Sequence, residues 1–542
     1  MANTSLFKSI VGKLVPATNT RNEAGGSAYA FTPRHALAQY ATTGCLTRTY
    51  YASAETQLEK VLGFARQVAP EFLAKTAVYA REAGFMKDMP ALLCAVLATP
   101  VAHADIEPGT PAAAELAAAN AARAELLKKI FPRVIDNGRM LRNFVQIIRS
   151  GQTGRKSLGS LPKRLVVDWL NAATDKTLFE ASVGNAPSLA DVIRMVHPRP
   201  ADPARAALYG YLIDQPHDAA LLPEQVRDFE AYKAGATRVL PKVPFQMLTA
   251  LELGKAEWTS IAETAPWHMT RMNLNTFARH GVFDNNDAIA DTVAARLRNA
   301  EAIGKARVFP YQLLAAYLAS ASTREVPRKV TEALQDAMEI ATANVPVVQG
   351  KVWVLPDVSG SMSCPVNGYG TAVRSKVRCI DVAALIAATI LRKNPEAQVL
   401  PFDTEVRNVT LNPRDSVMTN AHKLARLQGG GTSCSAPLIE LNRRRAQGDL
   451  VIYVSDNESW MDTPRGRGTC VMQAWKEFKK RNPNAKLVCI DLQPYGSTQA
   501  EEADDILNVG GFSDHVFTIV RDFAEGNLSP AHWVGEIEKI AL

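Results

Sequence analysis

The chain has 542 residues, of which 47% are hydrophobic and 21% charged. That length exceeds what one core organises, so two or more domains are expected, and the composition excludes wholesale disorder. The formal net charge is +7, and residues 351–542 carry 22 basic and 22 acidic side chains, so the whole excess falls on the first 350 residues, where a polyanion would be drawn.

In chain order, the N-terminus lacks the charged-then-apolar-then-small pattern of a signal peptide. Residues 1 to about 345 then read as helix after helix, rich in Ala, Leu, Glu, Lys and Arg, with apolar residues recurring at three and four. Ala69-Pro70-Glu71 opens one helix, whose inner stripe is Phe72, Leu73, Ala77 and Ala80. Residues 112–130 form an Ala-rich helix, and Asp202-Pro203 and Leu222-Pro223-Glu224 set proline near a helix start, where its missing N–H costs little. No alternation of strand length bounded by turns is expected here. Roughly fifteen successive helices without a sharp repeat predict an irregular solenoid of helical pairs.

At Lys351 the pattern changes. Strands are expected at 352–355, 399–402, 450–454, 487–490 and 516–519. Between them fall helices at 376–393, 416–427, 437–445 and 470–481, and the loop Gly429-Gly430-Gly431. Strands alternating with helices imply a parallel, doubly wound sheet. The expected organisation is therefore an α-helical repeat domain over 1–348 and an α/β, Rossmann-like domain over 349–542. Seven scattered cysteines without a C-x-x-C suit a reducing compartment. Apolar runs such as 383–388 are too short for a bilayer. A soluble, cytoplasmic monomer without membrane contact is the expectation.

In a doubly wound sheet, ligands bind beyond the carboxyl ends of the strands. Asp357-Val358-Ser359-Gly360-Ser361 follows the first strand, Asp456 follows 451–454, and Thr432 lies on the glycine loop between them. Asp357, Ser359, Ser361, Thr432 and Asp456 are all hard oxygen donors. Mg²⁺ takes about six oxygens and keeps some as water, so two carboxylates and three hydroxyls satisfy it and leave room for a ligand's oxygen. The bland alternative is a chance turn, but the strand before the motif supplies the context the motif needs. One divalent cation is expected, Mg²⁺ before Mn²⁺ or Ca²⁺, with Asp357 and Asp456 bonding directly or through water. The pattern is that of a von Willebrand factor A-type domain with a metal-ion-dependent adhesion site.

Several segments in order carry a wider resemblance: Thr47-Arg48-Thr49-Tyr50-Tyr51, Lys163 to Leu170, Asp191 to Pro198, Arg307-Val308-Phe309-Pro310-Tyr311, Gly430 to Cys434, and Ser455-Asp456-Asn457-Glu458-Ser459. The last is close to T-D-N-E-T. Over nearly its full length the chain resembles the TROVE-domain family, the Ro autoantigen and its bacterial relatives. The resemblance implies a ring of HEAT-like helical repeats closed against the A-type domain. It implies binding of non-coding RNA, with single-stranded ends of misfolded RNAs in the basic hole and small Y RNAs on the outer surface. It further implies a role in RNA quality control or ribonucleoprotein scaffolding, a ribonuclease or other protein as a partner through the A-type domain, and no catalysis.

The residues expected on the outer RNA surface are Lys156, Lys163, Arg164, His197 and Arg199. Read alone, short basic runs are commonly solvated faces, and a histidine beside Pro198 is an ordinary helix end. The helix dipole makes the first turn a poor place for a purely structural cation, however, which favours contact with phosphate at Lys163 and Arg164. Glu180 departs from the family, which often carries Lys and Arg there, and should weaken such binding. Arg443-Arg444-Arg445 and Lys479-Lys480-Arg481 read as solvent faces.

An enzyme is not expected: there is no G-x-x-x-x-G-K-[ST] and no G-x-S-x-G. Gly368-Tyr369-Gly370 and Gly466-Arg467-Gly468 lack the third glycine of a dinucleotide loop. The rival function is a metal-dependent protein-binding scaffold without RNA.

Overall fold

The computed structural model describes the chain except for residues 1–14, 45, 103–106, 108, 185–186, 249–250, 307–309, 322, 346, 370–376, 428, 463–466, 512 and 529–530. Arg307-Val308-Phe309, Lys376, Gly370 and Gly466 thus lie outside the described residues. The chain forms two compact units. One comprises Met1–Phe64, Thr270–Asn275 and Ala290–Lys539; the other comprises Ala65–Met269, Thr276–Ile289 and Ile540–Leu542. The change of pattern at Lys351 separates helices from sheet, and it falls inside the first unit.

The described regular elements of the second unit are all helical, α-helices with one short 3-10 helix at Ala219–Leu221. Pro70–Glu82 and Pro111–Val134 start where the prolines place them, each with Pro in its first turn. Local capping fixes other starts: Thr110 accepts from the Ala113 N–H, Asn137 from Met140 and Thr174 from Thr177, while Ser188 and Asp191 form a capping box. The helix Asp88–Ala98 is buried from Met89 onward, all round its circumference. It packs against Pro70–Glu82, Pro111–Val134 and Gly138–Arg149, which explains a sequence with no polar face.

The first unit holds a five-stranded parallel sheet of β3 (Val352–Pro356), β4 (Gln398–Val399), β5 (Leu450–Ser455), β6 (Lys486–Asp491) and β8 (Ile506–Gly510), in the order β4-β3-β5-β6-β8. Every residue of β3, β5 and β8 is buried, as expected for strands covered on both faces. After β3 the chain moves to one side, to β4, and after β5 to the other, to β6. The switch point therefore lies between the carboxyl ends of β3 and β5. The β4 ladder runs past its two regular residues, because the Phe402 N–H still donates to the Pro356 carbonyl (3.1 Å).

Two expectations are corrected. The apolar run 516–519 is no strand: it lies in the helix Asp514–Glu525, where Val516, Phe517, Ile519, Val520 and Phe523 are buried at helical spacing. Gly526, in the left-handed region at φ 80°, ends that helix. A short apolar run fits either period, and the last strand is instead β8, whose central Asn508 disguised it. The first part of the chain also contains strands. β1 (Thr20–Arg21) and β2 (Ser27–Ala30) form an antiparallel hairpin, and β2 pairs with β7 (Ser497–Thr498). Strands of two and four residues are too short to show alternation, and the partner is hundreds of residues away.

Candidate metal centre and nucleic-acid surface

Asp357 follows β3, and its N–H still donates to the Val454 carbonyl (3.0 Å). One of its oxygens accepts from the Ser359 N–H (2.8 Å) and the other from the Ser455 hydroxyl (2.6 Å), so the carboxylate is fixed in orientation. The chain then turns into a short 3-10 helix, Gly360–Ser363, which brings the Ser359 and Ser361 hydroxyls within 3.3 Å of each other. The Gly360 N–H donates to the Gly430 carbonyl (3.0 Å), tying this turn to the glycine loop that carries Thr432. That loop packs closely: a Cβ on Gly431 would stand 2.7 Å from the Trp460 ring. Asp456 follows β5, close enough to Asp357 for the two carboxylates to act on each other.

All five expected donors are buried, at 0–4% exposure for Asp357, Ser359, Ser361, Thr432 and Asp456. Burial and the neighbouring Asp456 push the Asp357 carboxyl up to about 7, and burial raises Asp456 too. One Asp456 oxygen accepts the Glu458 N–H (3.2 Å), while the other, Oδ2, is buried without a partner. Two buried carboxylates that raise each other's cost of ionising, one with an orphaned oxygen, need a cation to be charged together, and the donor set fits a hard divalent one. Among the described residues, no group of three or more His, Cys, Asp or Glu side chains is set to hold a metal, so the hydroxyls are needed to complete a shell here.

Other residues shape this place, and sequence reasoning did not assign them. Asp462 accepts from the hydroxyls of Ser433 (2.6 Å), Ser435 (2.7 Å) and Ser459 (2.8 Å), stapling the Thr432 loop to the Asp456 loop. Arg407 donates twice to Asp403 (2.7 and 2.9 Å), and the Asp403 carbonyl accepts the Ser433 N–H (2.8 Å). Tyr51, with Tyr50, Ala24 and Trp460, lines a cavity of about 200 Å³ over Ser361 and Thr432. The motif holding Tyr50 and Tyr51 was visible, but its place beside Ser361, some three hundred residues on, was not. Glu458 is fully buried and accepts the Ala24 N–H (2.9 Å), and burial pushes its carboxyl well up, favouring the protonated form.

The basic residues belong to the helical unit. In the helix Ser160–Ala172, Leu165, Val166 and Leu170 are buried while Lys163 and Arg164 are exposed near its start. Lys156 is exposed in the preceding loop. His197 caps the helix Leu189–Val196 in the left-handed region, its N–H donating to the Ile193 carbonyl (2.9 Å), and Arg199 is exposed two residues on. The helices Ser160–Ala172 and Leu189–Val196 pack together, so the two groups sit on neighbouring elements. Glu180 is exposed and pairs with Lys176 at 3.9 Å, which partly offsets its charge.

The described cysteines 94, 364, 379, 434, 470 and 489 are free thiols. Among the described residues, no helix is long and apolar enough to cross a membrane.

Residues 351–524 match the family model described as the Ro60 vWA domain. The RNA-binding protein RO60 of Deinococcus radiodurans is 26% identical over 94% of this chain and 96% of its own length. RNA-binding protein RO60 of Caenorhabditis elegans is 22% identical over 51% of this chain and 42% of its own. The crystal structure of the Deinococcus radiodurans Ro (Rsr) protein superposes with a TM-score of 0.63 at 23% identity, covering 92% of this chain and all of that one, and so shares its fold. Both curated relatives are named as RNA-binding proteins and not as enzymes.

Proposed function

We propose that this chain, a relative of the Ro proteins along nearly its whole length, is an RNA-binding protein that acts by binding and not by catalysis. The observation that carries this reading is the full-length similarity to proteins named for RNA binding, on a chain whose excess positive charge lies in its helical part. In this reading, single-stranded 3′ ends of misfolded non-coding RNAs enter a cavity of the helical array. A Y-type RNA lies on the outer surface at Lys156, Lys163, Arg164, His197 and Arg199. The protein then serves RNA quality control or scaffolding in the cytoplasm. Exposed lysines and arginines supply phosphate contacts without base readout, which suits a protein that accepts many defective RNAs. The test is binding of one structured RNA with and without a single-stranded 3′ tail. The tailed RNA should bind more tightly, with a logarithmic salt slope of about −0.7 per phosphate contact. Equal affinities with a flat salt response would defeat the reading.

In the same reading a divalent cation, Mg²⁺ first, is held by Asp357, Ser359, Ser361, Thr432 and Asp456. The orphaned Asp456 Oδ2 supports this. When bound, the cation supplies a Lewis-acidic point for a ligand's oxygen. The chain's own residues neutralise it with two carboxylates, fix its place through Ser455 and Asp462, and narrow its access through Tyr50, Tyr51 and Trp460.

A second reading, a metal-dependent protein scaffold, draws support from the exposed Trp460 and Met461 beside that cavity, since half-exposed aromatics are common binding anchors. Purification with ribonuclease treatment separates the two. Partners retained with no RNA bound at any stage would favour the scaffold.

A further inference from the structure

A second small cavity, of about 190 Å³, lies in the helical unit and is lined by Leu97, Ala98, Arg123, Arg155, Ser160 and Pro162 among others. It is smaller than the roughly 300 Å³ at which drug-sized pockets begin, and no acidic side chain lines it.

Three features converge there. The first is Arg123, from the helix Pro111–Val134, which is 9% exposed. Its Nη2 donates to the Val96 carbonyl (2.6 Å), but its buried Nε has no partner. Burial alone shifts its pKa, downward, with no carboxylate acting on it. The second is Arg155, whose Nη1 donates to the Ala98 carbonyl (2.5 Å) and Nε to the Ser157 carbonyl (2.8 Å). The third is the start of the helix Ser160–Ala172. Its N-cap is Gly159, which offers no side-chain cap, and Pro162 has no N–H, so the donors of Ser160 and Leu161 face outward from the positive end of the dipole. Gly159 suits its backbone, and Arg155 lies against it. Its φ is 69°, and a Cβ there would stand 2.0 Å from Arg155 Nη2.

A structural explanation covers part of this: the carbonyls of Val96 and Ala98 end the helix Asp88–Ala98, and arginines cap such ends. It leaves most of the ten guanidinium N–H groups unassigned, and it leaves two cations partly withdrawn from water without an anion.

We propose that this cavity binds a single phosphate group, held by Arg123, Arg155, the Ser160 hydroxyl and the open N–H groups of the helix start. Bidentate arginine donors and an uncapped helix N-terminus are together the chemistry that selects phosphate. The phosphate comes from an RNA chain or from free phosphate, and the RNA source rests on the function proposed above.

The test is S160D, with R155Q beside it. An aspartate at the first helical position favours the helix dipole, so S160D should keep or raise Tm. It also sets a carboxylate where the phosphate would lie. Both variants should bind single-stranded RNA about tenfold more weakly, with a salt slope smaller by about 0.7. Inorganic phosphate should raise the Tm of the unaltered protein and not that of S160D. A preference for 5′-phosphorylated over 5′-hydroxyl RNA would assign a terminal phosphate, and equal binding an internal one; either supports the site. Phosphate stabilisation without RNA binding would keep the site, with free phosphate as its source, and would defeat the RNA reading. S160D binding RNA and inorganic phosphate as the unaltered protein does would overturn the proposal, leaving the arginines as helix caps.

Discussion

In the sheet-bearing unit the charged groups of interest are hidden: Asp357 is 0% and Asp456 1% exposed, and Asp456 acts electrostatically on Asp357. In the helical unit Lys156, Lys163, Arg164, His197 and Arg199 are all exposed. The two regions hold opposite charge under opposite conditions. Buried carboxylates are costly until a small, hard, dehydrated partner arrives, so such a site selects by charge density and geometry. Exposed lysines and arginines cost little and exchange counterions freely, so such a surface selects a long polyanion by the number of contacts. The buried site can be disabled by one substitution, and the exposed surface only by several together.

That contrast can be broken in four ways. Asp357→Ala should abolish Mg²⁺ binding in calorimetry while leaving RNA affinity unchanged. Unchanged Mg²⁺ affinity would remove the site, and a large loss of RNA affinity would join what the comparison separates.

The next effect concerns pH. The folded Asp357 carboxyl is pushed up to about 7 from an ordinary 3.8, so without a cation it contributes stability that is full below pH 4 and lost as pH rises through 7. On chelator, folding stability should fall across that window by on the order of a few kcal/mol, read as a falling Tm, and saturating Mg²⁺ should flatten the profile. Identical profiles with and without Mg²⁺ would show that no cation occupies this place.

Asp462→Ala sharpens the picture, because it removes no expected ligand. Freeing the Thr432 and Asp456 loops should lower Mg²⁺ affinity by about 10–100-fold, the usual effect of an outer-shell residue. Affinity equal to that of the unaltered protein would mean the loops hold their geometry without the staple.

The smallest single-contact effects belong to the exposed surface. Combining Lys163→Ala, Arg164→Ala and His197→Ser should reduce the salt slope for a structured small RNA by about 1.4, or 0.7 for each lysine or arginine removed. Tailed-RNA binding should persist. Loss of both RNAs together would mean one site, and loss of neither would return these residues to solvated helix ends.

Local signals set much of this molecule. The prolines at 70 and 203 act within one helical turn, so those helix starts were legible in the sequence, while the caps of Thr110, Asn137 and Ser188 are equally local signals that the sequence reading did not single out. The apolar runs of β3, β5 and β6 announced buried parallel strands, and a doubly wound pattern put Asp357 and Asp456 after neighbouring strands at the switch point. Residues 506–525 resisted for an equally physical reason. Asn508 interrupts an apolar strand and is satisfied there by Thr498, Ala500 and Glu502, partners that only folding supplies. Val516–Val520 has an apolar content that either period accepts. The pairing of β2 with β7, Tyr51 over Ser361, Asp462 between two loops, and Arg123 beside the start of Ser160–Ala172 are contacts between distant segments. No residue in any of them is unusual for its own neighbourhood, so the sequence alone determined the elements and their order. The tertiary structure decided which side chains share a cavity, because burial and missing hydrogen-bond partners arise only when the elements pack.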